Sequence, residues 1–166
     1  SDTLEEQAKA IDVKELSLLH KQIGMVKNFT SDRQYQVPVY LNGEFTTIHL
    51  TLVKDDSNIS SVNASMETEK FGTIGSKFTE NNQFVEGYLV CENGFDTQTK
   101  EAFTKSFFTS LNQENMQVGR LSFVQSKDVN AQKFNDVEGS EQVSKTDTKT
   151  LYAVAKAFIK AVQEAM

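Results

Sequence analysis

Two histidines, one cysteine and a few acidic clusters are the residues of this 166-residue chain that could support catalysis or metal binding. Their spacing does not assemble such a site. His20 lies in a helix-like run, and His49 lies mid-strand on the face opposite Ile48 and Leu50. Neither has Cys, His or acidic neighbours at the short paired spacings that zinc ligands take, so each reads as a solvated or core-edge histidine. Cys91 ends the apolar run Tyr88-Leu89-Val90, with no adjacent cation to stabilise a thiolate. It reads as a buried strand residue. Asp55-Asp56-Ser57-Asn58 begins like a calcium loop, but glycine is missing from the sixth position and glutamate from the twelfth. It is expected to be a turn. Asp55 and Asp56 are adjacent and would project apart in a strand, so they form no acid/base pair. No Gly-rich phosphate loop is present. Asn28-Phe29-Thr30, Asn58-Ile59-Ser60 and Asn63-Ala64-Ser65 match the glycosylation pattern, but no secretory signal is visible to bring them to that chemistry. No catalytic residue, metal site or cofactor is expected.

Composition narrows the class further. Seventeen Lys and Arg against 23 Asp and Glu give a net charge of -6. That argues against nucleic-acid or anionic-membrane binding, which needs a cationic face. Twelve Phe and four Tyr argue against disorder. A single cysteine excludes a disulfide framework and favours a reducing, cytoplasmic setting. No apolar run is long enough to span a membrane. A single soluble domain spanning residues 1–166 is expected.

The elements that would position these residues follow from periodicity. Residues 1–28 read as helical. Asp12 to Glu15 resembles a capping box, and Leu18, Leu19 and Val26 form an apolar stripe backed by Lys14, Lys21 and Lys27. After Gln34 the period changes to two. Val37, Val39 and Leu41 alternate up to Asn42-Gly43, a strong hairpin signal, and Ile48, Leu50 and Leu52 alternate after it. Phe45 is out of phase with Ile48, and a twist or bulge near Thr46-Thr47 would reconcile them. Pro38 cannot donate to a ladder, so its strand is expected at an edge. Val37, Pro38 and Val39 are then the default place for strand addition by a partner.

Further strands are expected with Val62, Ala64 and Met66 inward, with Ile74, Ser76 and Phe78 inward, and from Phe84 to Cys91. The last has apolar residues on both faces and should be central and covered on both sides. Asp96 or Thr97 caps a helix through about Asn112 that carries Phe103, Phe107, Phe108 and Leu111, and a strand follows from Gln117. Residues 126–146 are polar and long for a connection, either mobile or pinned by Phe134. Asp147 should cap a final amphipathic helix with Leu151, Val154, Ala155, Phe158, Ile159 and Val162 on one stripe. The expected fold is α+β: a twisted, mainly antiparallel sheet of five or six strands, one helix packed across it, and N- and C-terminal helices flanking.

Thr68-Glu69-Lys70-Phe71-Gly72-Thr73-Ile74 leaves one strand, turns and enters another. Phe71 should fold onto the core and Gly72 should adopt a conformation that a side chain would oppose. The segment resembles the Pro-x-x-Leu-Gly-x-Val element of the flagellar hook-length control family, C-terminal domain. Thr68 stands at the Pro position, Phe71 at the Leu position, Gly72 matches, and Ile74 takes the Val position. The order strand, helix, strand that follows also fits, and the resemblance covers about residues 62–124. It implies a non-enzymatic domain that binds a protein partner, a component of the type III export gate, in substrate switching. It also implies a bacterial cytoplasmic location or export through the flagellar apparatus. The alternative is a generic interaction or scaffold module of a bacterial protein.

Overall fold

The computed structural model describes residues 26–27, 34–54, 59–134 and 145–166. Seven strands form one sheet in sequential order: β1 (Val26–Lys27), β2 (Gln34–Leu41), β3 (Glu44–Lys54), β4 (Ser60–Thr68), β5 (Gly72–Asn81), β6 (Phe84–Cys91) and β7 (Gln117–Gln125). Each neighbouring pair is antiparallel except β6 and β7, which run parallel. That pair is joined by helix α1 (Thr97–Gln113), the long crossover a parallel connection requires. Helix α2 (Lys145–Ala165) completes an α+β fold. Residues 1–25 lie outside the described residues, and with them the expected N-terminal helices, His20, Lys14 and Lys21. Val26 and Lys27, expected on a helix, are instead strand residues paired to Gln36 and Tyr35.

The hairpins follow from turn chemistry. Asn42 and Gly43 take φ values of 49° and 84°, the doubly left-handed pair of a type I′ turn. This locks Leu41 opposite Glu44 and Tyr40 opposite Phe45. Pairing then continues without a shift to Gln34 and Thr51. The bulge expected near Thr46-Thr47 is absent, because Phe45 simply points to the other face.

One face of the sheet carries both helices. Val37, Val39, Ile48, Leu50, Val62, Met66, Ile74, Phe78, Leu89 and Cys91 are buried there. Asp96 caps α1 by accepting from the Thr99 N–H at 2.7 Å. The helix buries Phe103, Phe107 and Leu111, while the expected Phe108 is only partly covered. It ends in a Schellman arrangement, with left-handed Asn115 and the Met116 N–H donating to Leu111 O. Helix α2 begins at Lys145, so Asp147 falls inside the helix and is not its cap. All six expected stripe residues are buried, together with Tyr152, Ala157 and Ala161. The wider stripe reflects contact with the sheet on one side and α1 on the other. Phe158 is the keystone, its ring 5.4 Å from Phe78 and 5.9 Å from Phe103.

The outer face is more polar. Strand β6 is central as expected, but its outward Phe84 and Tyr88 remain exposed, so cover on both sides holds only in part. A short 3-10 helix (Ala131–Phe134) crosses β4 and β5 on this side. It lays the buried Phe134 ring on Gly75, edge-on to Tyr88 at 6.4 Å. Phe134 therefore pins the described part of the connection, through residue 134; residues 135–144 lie outside the described residues.

Candidate functional site

The β3–β4 ladder stops at His49 and Ser65. Beyond that pair, Glu44–Thr47 stay with β2 while Met66–Thr68 stay with β5. The two strands part, bridged by the Thr46 hydroxyl, which donates to Glu67 O at 2.6 Å. A cavity of about 240 Å³ opens in the parting. Leu41, Phe71 and Met166 supply apolar surface; Glu44, Glu67 and Glu69 supply carboxylates; Phe45 forms a wall. A second depression on the outer face shares Phe45, Thr46 and Glu67 and continues to His49 and Ser65.

Each wall is rigidly built. On one side the type I′ turn holds Tyr40 and Phe45 as a cross-strand pair, rings edge-on at 4.8 Å. Both are exposed to an unusual degree, Tyr40 at 58% and Phe45 at 78%. On the other side the Thr68 hydroxyl accepts from the Phe71 N–H and donates to Gly72 O, closing the turn on itself. Gly72 has φ 74°, where a Cβ would also meet the Glu92 carboxylate at 2.6 Å. Phe71 is buried with its ring 5.2 Å from Phe95, and Ile74 is buried in the core.

The loop after β6 straps this turn in place. The Thr73 N–H donates to Glu92 Oε1 at 2.6 Å, the Asn93 N–H donates to Phe71 O, and Asn93 Nδ2 donates to Lys70 O. Lys70 lies 3.4 Å from Asp96 and over the Phe71 ring. The Thr73 N–H holds the Glu92 carboxyl below its ordinary range, and the Thr99 N–H does the same for Asp96, helped by Lys70.

Electrostatics in the parting run the other way. A hydrogen bond that the protonated Glu44 carboxyl donates to the neighbouring Glu69 carboxylate, reinforced by like charge, raises Glu44 above its ordinary value. Two carboxyls from different hairpins thus face each other in the groove. Glu67 accepts from the Thr73 hydroxyl at 2.8 Å.

The sequence-derived candidates fall around this site unevenly. Thr68, Phe71, Gly72 and Ile74 form one wall or its support. Val37 and Val39 are buried under the helices, and Pro38 is exposed on the outer face. β2 is not the edge strand expected from Pro38, because β1 lies outside it and pairs at Tyr35 and Gln36 among the described residues. His49 lines the outer depression. Cys91 is buried, and burial pushes its thiol up. Asp55–Asn58 lie outside the described residues. Glu44, Glu67, Glu69 and the Tyr40–Phe45 pair were not singled out from sequence. The signal for the pair was present: a two-residue Asn-Gly turn places residues 40 and 45 opposite each other. No helix among the described residues is long and apolar enough to cross a membrane. No family model, curated protein or solved structure matches the chain.

Proposed function

We propose that this chain is a non-enzymatic protein-interaction domain that engages its partner through the parted end of the sheet. The observation that carries this reading is the Tyr40–Phe45 pair, two large rings left exposed on a rigid hairpin beside a groove. Aromatic side chains lose little conformational entropy on binding and dominate interface energetics when a partner covers them. The groove beside them mixes apolar surface with carboxylates, the composition of an interface that selects its partner by charge as well as shape. The narrower proposal, drawn from the resemblance of Thr68 to Ile74, is that the partner is a type III export-gate component.

The test is photo-cross-linking in the native cell. A photoreactive phenylalanine replaces Phe45, and the control carries it at Lys160, exposed on α2. A discrete adduct with another protein from position 45, missing from position 160, is expected. No adduct from position 45, or the same adducts from both positions, refutes the reading. Calorimetry of the chain with the export-gate cytoplasmic domain from the same organism tests the narrower proposal. Absence of heat at about 100 μM removes a gate interaction of micromolar or tighter affinity.

A further inference from the structure

We infer that the free edge of β7 pairs with the same edge of a second copy of this chain, antiparallel and about a two-fold axis at Phe123, joining two sheets into one. This edge lies at the opposite end of the strand order from β2 and β3, so the inference stands apart from the reading of Tyr40 and Phe45 above.

The backbone speaks first. β7 is the last strand of the sheet, nine residues long, and among the described residues only β6 pairs with it. Beyond the irregularity opposite Val85–Gly87, its register with β6 is unbroken from Leu121 to Gln125. The Ser126 N–H donates to Cys91 O at 3.0 Å. The N–H and C=O of a strand residue share one side and alternate along the strand, so Ser122 and Val124 also turn theirs to β6. Leu121, Phe123 and Gln125 turn theirs to the open edge. Proteins blunt such edges with charge, proline or a bulge. Here the irregularity and Arg120 guard only the first half, and Leu121–Gln125 holds neither charge nor proline. Residues 126–134 return over the outer face to lay Phe134 on Gly75 and do not take the edge.

Incompletely covered apolar side chains flank the same edge. On the helix side Leu121 and Phe123 are only partly buried, although both pack against the core. On the outer face Val124 is 45% exposed, and Tyr88, beside Ser122, is exposed as well.

A copy of the chain satisfies backbone and flanks together. An isologous contact sets a surface against itself. With Phe123 opposite its own counterpart, Leu121 falls opposite Gln125 and Ser122 opposite Val124. The edge-facing residues then meet one another, and each such pair exchanges both of its N–H···O bonds. The two Phe123 rings become cross-strand neighbours on the helix side, while each stays edge-on to its own Phe95 and Phe103. Arg120 falls opposite Ser126, so no like charges are opposed. A short strand pair with apolar flanks is a small interface, and the dimer is therefore weak and concentration-dependent.

Sedimentation velocity of the full chain from about 1 μM to 1 mM reads the association, and a monomer–dimer equilibrium is expected. Gln125→Pro deletes an edge-facing N–H and leaves the bonds to β6 in place. It should weaken dimerisation by about tenfold or more, with a native melting temperature at the lowest concentration. Ser122 and Val124 of two copies would form a non-bonded pair with Cα atoms about 4.5 Å apart, within reach of a disulfide. Chains bearing Ser122→Cys and Val124→Cys should cross-link with each other on mild oxidation several times faster than either does with itself; the native Cys91 is buried and does not compete. A monomer at every concentration would overturn the inference and leave the edge to a strand of another protein. An undiminished dimer in Gln125→Pro, or a mixed pair that cross-links no faster than each variant alone, would overturn it by placing the contact elsewhere or in another register.

Discussion

A methyl group added at Gly75 tests how the outer face is closed. Built on the native backbone, its Cβ would lie 2.2 Å from Cε2 and 2.6 Å from Cδ2 and Cζ of Phe134. Carbon atoms pack at about 3.5–4.0 Å, so one of the two must move. Strand β5 is bonded to β4 and β6 on both sides and cannot yield. The ring sits on a short 3-10 helix and can. Lifting a buried phenylalanine to solvent costs about 1.5–3 kcal/mol. Alanine is better than glycine in a strand by about 0.5–1 kcal/mol. Gly75→Ala should therefore destabilise by roughly 1–2 kcal/mol net. With Phe134→Ala already in place there is no ring to displace, and the same substitution should become neutral or stabilising by up to about 1 kcal/mol. Urea denaturation of the four proteins of this cycle gives the coupling, expected near 2 kcal/mol. An equal cost for Gly75→Ala with and without the Phe134 ring would refute the pin.

Three further outcomes follow from the core and the strap. Phe158→Ala removes a ring packed between Phe78 and Phe103 and should cost about 3–5 kcal/mol in urea melts; a change below about 1 kcal/mol would mean that α2 is not docked as described. Native Cys91 should resist a thiol reagent that labels the urea-unfolded chain rapidly, because burial raises its pKa; rapid native labelling would place it elsewhere. Glu92 and Asp96 both have folded pKa values below their unfolded ones. The stability they contribute is present above the unfolded carboxylate range, near about pH 4, and is lost as pH falls through the lowered values. The melting temperature should fall on acidification, and less so for Glu92→Gln; an equal fall for that variant would deny the Thr73 contact its role.

What could be read from the sequence was local. The alternation in β2 to β6, the Asn42-Gly43 turn and the α2 stripe depend on neighbours within a few residues, and these elements formed as expected. The positive φ of Gly72 and the burial of Phe71 belong to the same class. The break in phase between Phe45 and Ile48 needed no reconciling distortion, because the register set by Asn42-Gly43 sends Phe45 out beside Tyr40. The parting of β3 from β4 depends on where a ladder ends, and no local pattern marks that. The Glu44–Glu69 encounter joins two hairpins, and the Phe134–Gly75 contact joins a connection to a strand far earlier in the chain. Both arise only when the sheet is assembled. The helix start at Lys145 shows the opposite limit, since Asp147 carried a cap signal that the longer helix overrode.

The central claim is that the exposed pair at the parted end of the sheet is where the partner binds. Calorimetry of the partner captured at position 45, against the native chain and a Tyr40→Ala, Phe45→Ala variant, tests it most directly. Two rings at the centre of an interface should together contribute about 2 kcal/mol or more, roughly a thirtyfold loss of affinity, while their exposure leaves the melting temperature unchanged. Unaltered affinity in a folded variant would contradict the claim and move the interface elsewhere on the surface.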